Sequence, residues 1–224
     1  MTLVALNINN LTDARYYAAR GAEYLTFKFP DTIEQSAVVF KRIQDILEWV
    51  EGVKILFHCT AENIELSQKI EIPFEVAGFI LPYTFNFHSQ NFKNKFKLFC
   101  EVPLDQFNTI SKLKKIVGRL VYNYPIFFTW NDTVKKFDSF GFTLLKEYKN
   151  LDVWDKFLQV YIPFLDSQTV YLQIPFKSES GIPLMKTPLF KGIIISSNEE
   201  TVVGEKNYDE EDAFLDELEE NEIM

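Results

Sequence analysis

Short apolar segments recur along this chain, and most of them are separated by segments with helical periodicity. Segments that are apolar throughout predict strands buried on both faces, as in a parallel sheet covered by helices. Eight β/α units in 224 residues predict one α/β domain over residues 1–224, a (β/α)8 TIM barrel. An open doubly wound sheet is the alternative. The predicted strands are Leu3–Ile8, Tyr24–Phe29, Val53–Cys59, Val76–Leu81, Phe96–Val102, Leu120–Tyr124, Val170–Ile174 and Gly192–Ile195.

The segments between the strands carry the signals of helix starts and ends. Asn10–Asp13 can cap a first helix that Gly21 terminates. Apolar residues at helical spacing predict a second helix. The predicted helices are Ala14–Arg20, Ser36–Val50, Thr60–Ile70, Leu104–Val117 and Leu144–Leu158.

The carboxyl-terminal end of the chain is acidic. From Glu205 onward there are ten acidic residues and one lysine, which account for the whole net charge of −9 and leave residues 1–204 neutral. A neutral body with an acidic end argues against nucleic-acid binding, which needs clustered basic residues. Ala213, Phe214, Leu215 and Leu218 give this end an apolar stripe, which predicts a helix over about 209–220.

Phenylalanine is unusually frequent, with 22 copies. Aromatic side chains mostly supply core volume, so we expect a core packed with Phe, and the alternative is an apolar surface for a partner. The two cysteines are too few for a disulfide framework, which predicts reduced thiols and a cytoplasmic location. The chain lacks a signal-peptide pattern and an apolar run long enough for a membrane span. No zinc motif and no glycine-rich nucleotide loop is found, so we expect no metal and no cofactor.

Two motifs lie near the ends of the chain. At the amino end, Val4–Asn9 is followed by Asn10-Leu11-Thr12-Asp13-Ala14 and then by Gly21-Ala22-Glu23. At the carboxyl end, an aliphatic strand ends in Ser196-Ser197-Asn198 and Val203-Gly204-Glu205-Lys206 follows. The chain thereby resembles the phosphoribosylanthranilate isomerases, the (β/α)8 enzymes of tryptophan synthesis. Their first strand reads Lys-Ile-Cys-Gly-Ile-Thr, and their last strand is followed by Ser-Ser-Gly and Pro-Gly-x-Lys.

The resemblance implies an ancestral Amadori isomerisation of a phosphorylated aminoaldose, in which one residue acts as acid and another as base. The family's base is the cysteine of the first strand, which matches Leu6, and leucine has no titratable atom. The family's acid is an aspartate that ends the sixth strand and matches Asn123. The glycine pair that binds the substrate phosphate after strand seven matches Pro175-Phe176, and proline has no N–H to donate. The resemblance therefore implies an isomerase-like barrel with a degenerate active site.

Some side chains at predicted strand ends could replace the lost groups. Glu101 and Asn123 are the candidate catalytic residues, and Glu101 with Lys28 forms either an acid–base pair or a buried ion pair. His58 and Cys59 are adjacent on a strand and point to opposite faces, so we expect a structural histidine and an inert thiol. Ser196, Ser197 and Asn198 are the candidate phosphate-binding residues; the alternative is a plain strand-to-helix turn.

Three hypotheses of function follow. The chain is an isomerase whose acid and base lie on other strands, or a non-catalytic barrel that binds a small phosphorylated, sugar-like ligand. In the third hypothesis it binds a protein partner or a second copy of itself through an aromatic surface (Phe85, Phe87 and Phe92) or through its acidic end.

Overall fold

The computed structural model describes residues 1–86, 96–104, 124–130, 135, 137–139, 146, 170–187, 190–196 and 206–224. Eight strands follow one another in chain order around a closed barrel, and every described pair of neighbours is parallel. The predicted (β/α)8 fold is confirmed. The strands are β1 Thr2–Leu6, β2 Tyr24–Lys28, β3 Lys54–His58, β4 Gly78–Pro82, β5 Leu98–Pro103, β6 Ile126–Thr129, β7 Val170–Gln173 and β8 Gly192–Ser196.

Helices join several of the strands in the described part of the chain. They are α1 Leu11–Ala19, α2 Ile33–Leu47, α3 Gly181–Met185 and α4 Asp209–Glu220, together with a 3-10 turn at Leu66–Gln68. None of the described helices is long and apolar enough to cross a membrane. The predicted helices over 104–117 and 144–158 lie almost wholly outside the described residues.

The sixth strand is displaced from its predicted position. Seven predicted strands agree with observed ones to within two residues at each end, but β6 is Ile126–Thr129 rather than Leu120–Tyr124. The predicted strand ends directly before Pro125. Proline is tolerated just before or at the first residue of a strand, and here β6 begins directly after it.

The segment after β3 is not the helix predicted for Thr60–Ile70. It forms turns and the 3-10 turn. Thr60 and Asn63 bond to each other's backbone N–H groups, at 2.8 and 3.2 Å. The Ser67 hydroxyl donates to the carbonyl of Ile64 at 2.6 Å. Such local side-chain bonds offer the backbone an alternative to helical hydrogen bonds.

The described residues divide into two compact units, Leu3–Glu101 and Met1–Thr2 with Val102–Met224. In the unit Leu3–Glu101, phenylalanine rings build one face of the strands. Phe57 stacks on Phe79 with ring centroids 6.0 Å apart and meets Phe29 edge-on at 5.1 Å. Phe40 of α2 lies 6.0 Å from Phe57. We call the side of β2–β5 that carries Phe57 and Phe79 the helix-covered face, and the side that carries His58 the opposite face.

In the other unit, the acidic end of the chain is a packed helix. Phe214, Leu215 and Leu218 of α4 are buried, and the Phe214 ring meets Phe176 at 5.7 Å. Acidic residues fill the first turn of α4, where the helix dipole favours negative charge. The prediction of a helix over 209–220 is confirmed. Of the described phenylalanines most are buried, as expected for a Phe-rich core.

We predict that Asn10→Ala destabilises the protein by about 1 kcal/mol, because Asn10 is the N-cap of α1. Its Oδ1 accepts the backbone N–H of Asp13 at 2.8 Å. Urea unfolding measures the loss. Asn10→Ser is the matched control, since serine caps equally well; equal losses in both variants would contradict the capping role.

We predict that neither cysteine reacts with Ellman's reagent in the native protein. Cys59 and Cys100 are free and buried. Burial raises the pKa of the Cys59 thiol; burial together with the charge of Glu101 raises the pKa of Cys100 to about 12. A thiolate is the reactive form, so both should react only in urea. Val38→Cys, at a position 73% exposed on α2, is the positive control.

Candidate functional site

Polar side chains lie at the carboxyl ends of β2, β3 and β5 on the opposite face. The register pairs Lys28 with His58, His58 with Ile80, and Pro82 with Glu101. Side chains two residues apart on a strand, such as those of Ile80 and Pro82, point to the same face. His58 and Glu101 therefore share a face, although β4 separates their strands. In (β/α)8 barrels this end of the strands carries the functional residues.

His58 and Glu101 form a hydrogen-bonded pair. His58 Nε2 lies 2.7 Å from Glu101 Oε2. The side chain of His58 is 36% exposed and that of Glu101 is 19% exposed, so the pair is partly buried and still reaches solvent. A distance of 2.7 Å is typical of a charge-assisted bond. The carboxylate fixes the orientation of the imidazole ring.

Two opposing effects act on the pKa of His58. Burial lowers it, because the charged ring loses hydration. The hydrogen bond and the negative charge of Glu101 raise it, and together they outweigh burial, so the pKa lies above its ordinary value. Glu101 therefore stabilises the protonated form of His58 relative to the neutral form.

One interpretation of the sequence pairs Lys28 with Glu101. In the structure Lys28 pairs with another carboxylate. Its Nζ lies 2.8 Å from Asp31 Oδ2, and its side chain is 70% exposed. Asn63 Nδ2 donates to Asp31 Oδ1 at 3.2 Å and so holds this carboxylate from its other side. Lys28 is an exposed cation on the strand next to His58, and Glu101 bonds to the histidine instead.

The end of β1, which the sequence resemblance matches to the family's base, is buried and apolar. Leu6 ends β1 on the same face as Thr26 and is 8% exposed. Asn7 follows in the left-handed region, with φ 59°, and its N–H donates to Thr26 Oγ1 at 3.0 Å. The strand end thus keeps a sharply turned backbone, which asparagine tolerates better than most residues, but Leu6 offers no group for proton transfer.

In the other unit, Gln173 connects the ends of three strands. Its Oε1 accepts the backbone N–H of Trp130, just after β6, at 2.7 Å, and its Nε2 donates to Ser196 Oγ at the end of β8. Thr129, which ends β6, shares the face of Gln173 and is 4% exposed. Since Ser196 accepts from Gln173, its own hydroxyl proton remains available to a ligand.

The loop after β7 is filled by a carboxylate of the protein itself. Asp138 Oδ1 accepts from the Ser178 hydroxyl at 2.6 Å and from the N–H and hydroxyl of Ser180 at 2.9 and 2.8 Å. Its Oδ2 accepts the N–H of Glu179 at 3.3 Å. Burial raises the pKa of Asp138, but these bonds outweigh it and the pKa is lowered. An internal anion occupies these donors.

The remaining predicted site residues divide between described and undescribed parts of the chain. Asn123, Ser197 and Asn198 lie outside the described residues. Thr129, not Asn123, ends the sixth strand. The Phe176 ring, which is partly exposed, meets the buried Phe214 ring at 5.7 Å. Within the described ranges, no three His, Cys, Asp or Glu side chains are grouped so as to hold a metal ion.

Sequence reasoning missed the partnership of His58 with Glu101. Both residues lie at predicted strand ends, but the sequence relates His58 directly only to its chain neighbour Cys59. Interior layers of a (β/α)8 barrel draw their side chains from alternate strands. The ends of β3 and β5 therefore meet each other more closely than sequence distance suggests, and this rule could have found the pair.

Comparison with known proteins supports the fold. No family model and no curated protein matches the chain. Among solved structures, phosphoribosylanthranilate isomerase from Thermotoga maritima matches with a TM-score of 0.66 at 16% identity over 98% of this chain and 99% of that one. A monomeric form of the dimeric T. maritima enzyme matches with a TM-score of 0.64 at 13% identity over 98% of each chain.

A third structure is phosphoribosylanthranilate isomerase with reduced 1-(o-carboxyphenylamino)-1-deoxyribulose 5-phosphate. It matches with a TM-score of 0.64 at 13% identity over 98% of this chain and 99% of that one. At such identities the likeness establishes a shared fold: the chain has a TIM barrel like that of phosphoribosylanthranilate isomerase.

Proposed function

We propose that the chain is a barrel of the phosphoribosylanthranilate isomerase type that has lost the family's standard acid and base and binds a small phosphorylated, sugar-like ligand. It is thus a pseudoenzyme with respect to the family's Amadori reaction. The observation that carries this proposal is Leu6 at the carboxyl end of β1, where the family has its catalytic cysteine.

The loss of the base follows from the chemistry of the side chain. Leucine can neither accept nor donate a proton, and removing a general base typically costs 10²–10⁴-fold in rate. The residue that ends β6 is Thr129, whose hydroxyl is a far weaker acid than the family's aspartate. Both proton-transfer positions therefore lack a group with a suitable pKa.

Retention of a phosphate site is supported at the end of β8 rather than after β7. The donors of the loop after β7 already bind Asp138, so a second anion there would meet a like charge. Ser196 keeps its hydroxyl proton, and Gln173 holds the oxygen in place. We propose that Ser196, with Ser197 and Asn198, binds the phosphate.

A cytoplasmic location is part of the same proposal. Cys59 and Cys100 are free and buried, which suits a reducing compartment.

We predict that the purified protein does not turn over phosphoribosylanthranilate, followed by the loss of substrate fluorescence. The T. maritima isomerase is the positive control. A Leu6→Cys, Thr129→Asp variant, which restores an ionisable group at both strand ends, is assayed beside it. Turnover by the unmodified protein at a rate comparable with the positive control would refute the proposed loss.

We predict that the protein binds reduced 1-(o-carboxyphenylamino)-1-deoxyribulose 5-phosphate, measured by calorimetry, and that Ser196→Ala weakens binding roughly 10- to 100-fold. This range corresponds to losing one hydrogen bond to a charged group. Ser36→Ala removes a hydroxyl that bonds only within α2 and should leave the affinity unchanged. Absence of binding, or equal effects of the two variants, would contradict the phosphate site.

A further inference from the structure

We propose that His58 and Glu101 form a catalytic acid–base dyad that moves a proton between neighbouring carbons of an α-hydroxy carbonyl compound, an open-chain aldose or ketose. The proposal goes beyond the function proposed above, because it uses neither the position of Leu6 nor the phosphate site. It depends only on residues of the unit Leu3–Glu101.

The geometry of the pair suits a base. Because His58 Nε2 faces the Glu101 carboxylate, the neutral ring carries its proton on Nε2 and its lone pair on Nδ1. The imidazole ring of His58 makes no other hydrogen bond within the described part of the chain, and Nδ1 is not among the buried atoms without a partner. Nδ1 is thus open to a ligand, and Glu101 stabilises the imidazolium that forms when Nδ1 takes a proton.

The residues around His58 suit a reaction in which the carbon next to a carbonyl group loses its proton. Lys28 ends the neighbouring strand on the same face, in register with His58, and its ammonium has donors left beyond its bond to Asp31. A cation there favours the negative charge that develops on a carbonyl oxygen when the adjacent carbon loses its proton. On the same face, Leu56 lies one strand repeat before His58, and Ile80 lies in register with His58 on β4. Both are buried and apolar, so the dyad lies at the edge of the core.

A purely structural ion pair explains these features less well. A half-buried pair costs desolvation that is often not recovered, and apolar residues at such positions are commonly as stable or more so. A structural pair also needs neither an open Nδ1 nor a cation on the adjacent strand.

The proposed reaction is balanced without any further reagent. Nδ1 of neutral His58 takes the proton from C2 of the aldose, and the C–H electrons form a C1–C2 double bond while the carbonyl electrons move to O1. The resulting enediolate is protonated at C1 by Nδ1 of the imidazolium, and the hydroxyl proton of O2 passes to O1 through water. The product is the ketose, and His58 is again neutral and bonded to Glu101.

Deuterium exchange tests the dyad. Aldoses of three to six carbons, each with and without a terminal phosphate, are incubated with the protein in D2O, and deuterium incorporation is followed by NMR. We expect exchange with at least one aldose, and a loss of about 10²–10⁴-fold in His58→Gln. Glu48→Gln, an exposed change on the surface, should keep the wild-type rate. No exchange by the wild type on any aldose, or equal exchange by His58→Gln, overturns the proposal.

Glu101→Gln separates a catalytic role from a structural one. Glutamine can still accept from Nε2 but carries no charge, so the pKa of His58 falls and the rising limb of the pH–rate profile shifts to lower pH. In a His88→Asn background, His58 is the one remaining histidine and its titration is read by NMR. The dyad is supported if the rising limb of the pH–rate profile follows the titration of His58 both with Glu101 and with Gln at position 101. It is refuted if the limb stays in place when Glu101 is replaced. Thermal melts verify that both variants are folded.

The two proposals can fail separately. Exchange of unphosphorylated aldoses with no binding of the phosphorylated inhibitor would leave the dyad intact and remove the phosphate site. Binding of the inhibitor without exchange of any aldose would leave the phosphate site intact and remove the dyad.

Discussion

The alternation of side chains between the two faces of a parallel strand is the constraint on which this structure depends. In the unit Leu3–Glu101, one set of alternate positions carries Phe57 and Phe79, which pack against Phe40 of α2. The other set carries His58 and Glu101. Burial of aromatic surface drives the first set toward the helices. The polar strand ends are thereby fixed on the opposite face, and their chemistry follows from that placement.

This constraint explains how residues at strand ends can differ while a barrel keeps its shape. Leu6 is a buried, apolar residue at the end of β1, and its side chain adds to the core. Asp138 gives the loop after β7 an internal anion whose bonds to Ser178 and Ser180 hold the backbone. Leu6 thus fills core volume, and Asp138 satisfies hydrogen-bond donors of the loop. A polar group on another strand, such as His58, can still reach solvent from the same kind of position.

Much of the fold could be predicted because strand and helix signals are local. Apolar runs gave seven strands, Asn10 marked the start of α1, and the stripe with Phe214 and Leu218 gave α4. The two predictions that were wrong, the position of the sixth strand and the helix over 60–70, also have local causes. Pro125 precedes β6 rather than ending a strand, and the bonds of Thr60 and Asn63 replace a helix with turns.

The sequence by itself determined the architecture, the apolar residue at the end of β1 and the acidic helix at the carboxyl end, because periodicity and residue type carry that information along the chain. Only the tertiary structure decided which polar groups meet. Glu101 bonds to His58, 43 residues away, and Lys28 turns to Asp31, three residues away. Partners across strands depend on register and on side-chain direction, and a difference of one residue in register moves a side chain to the other face.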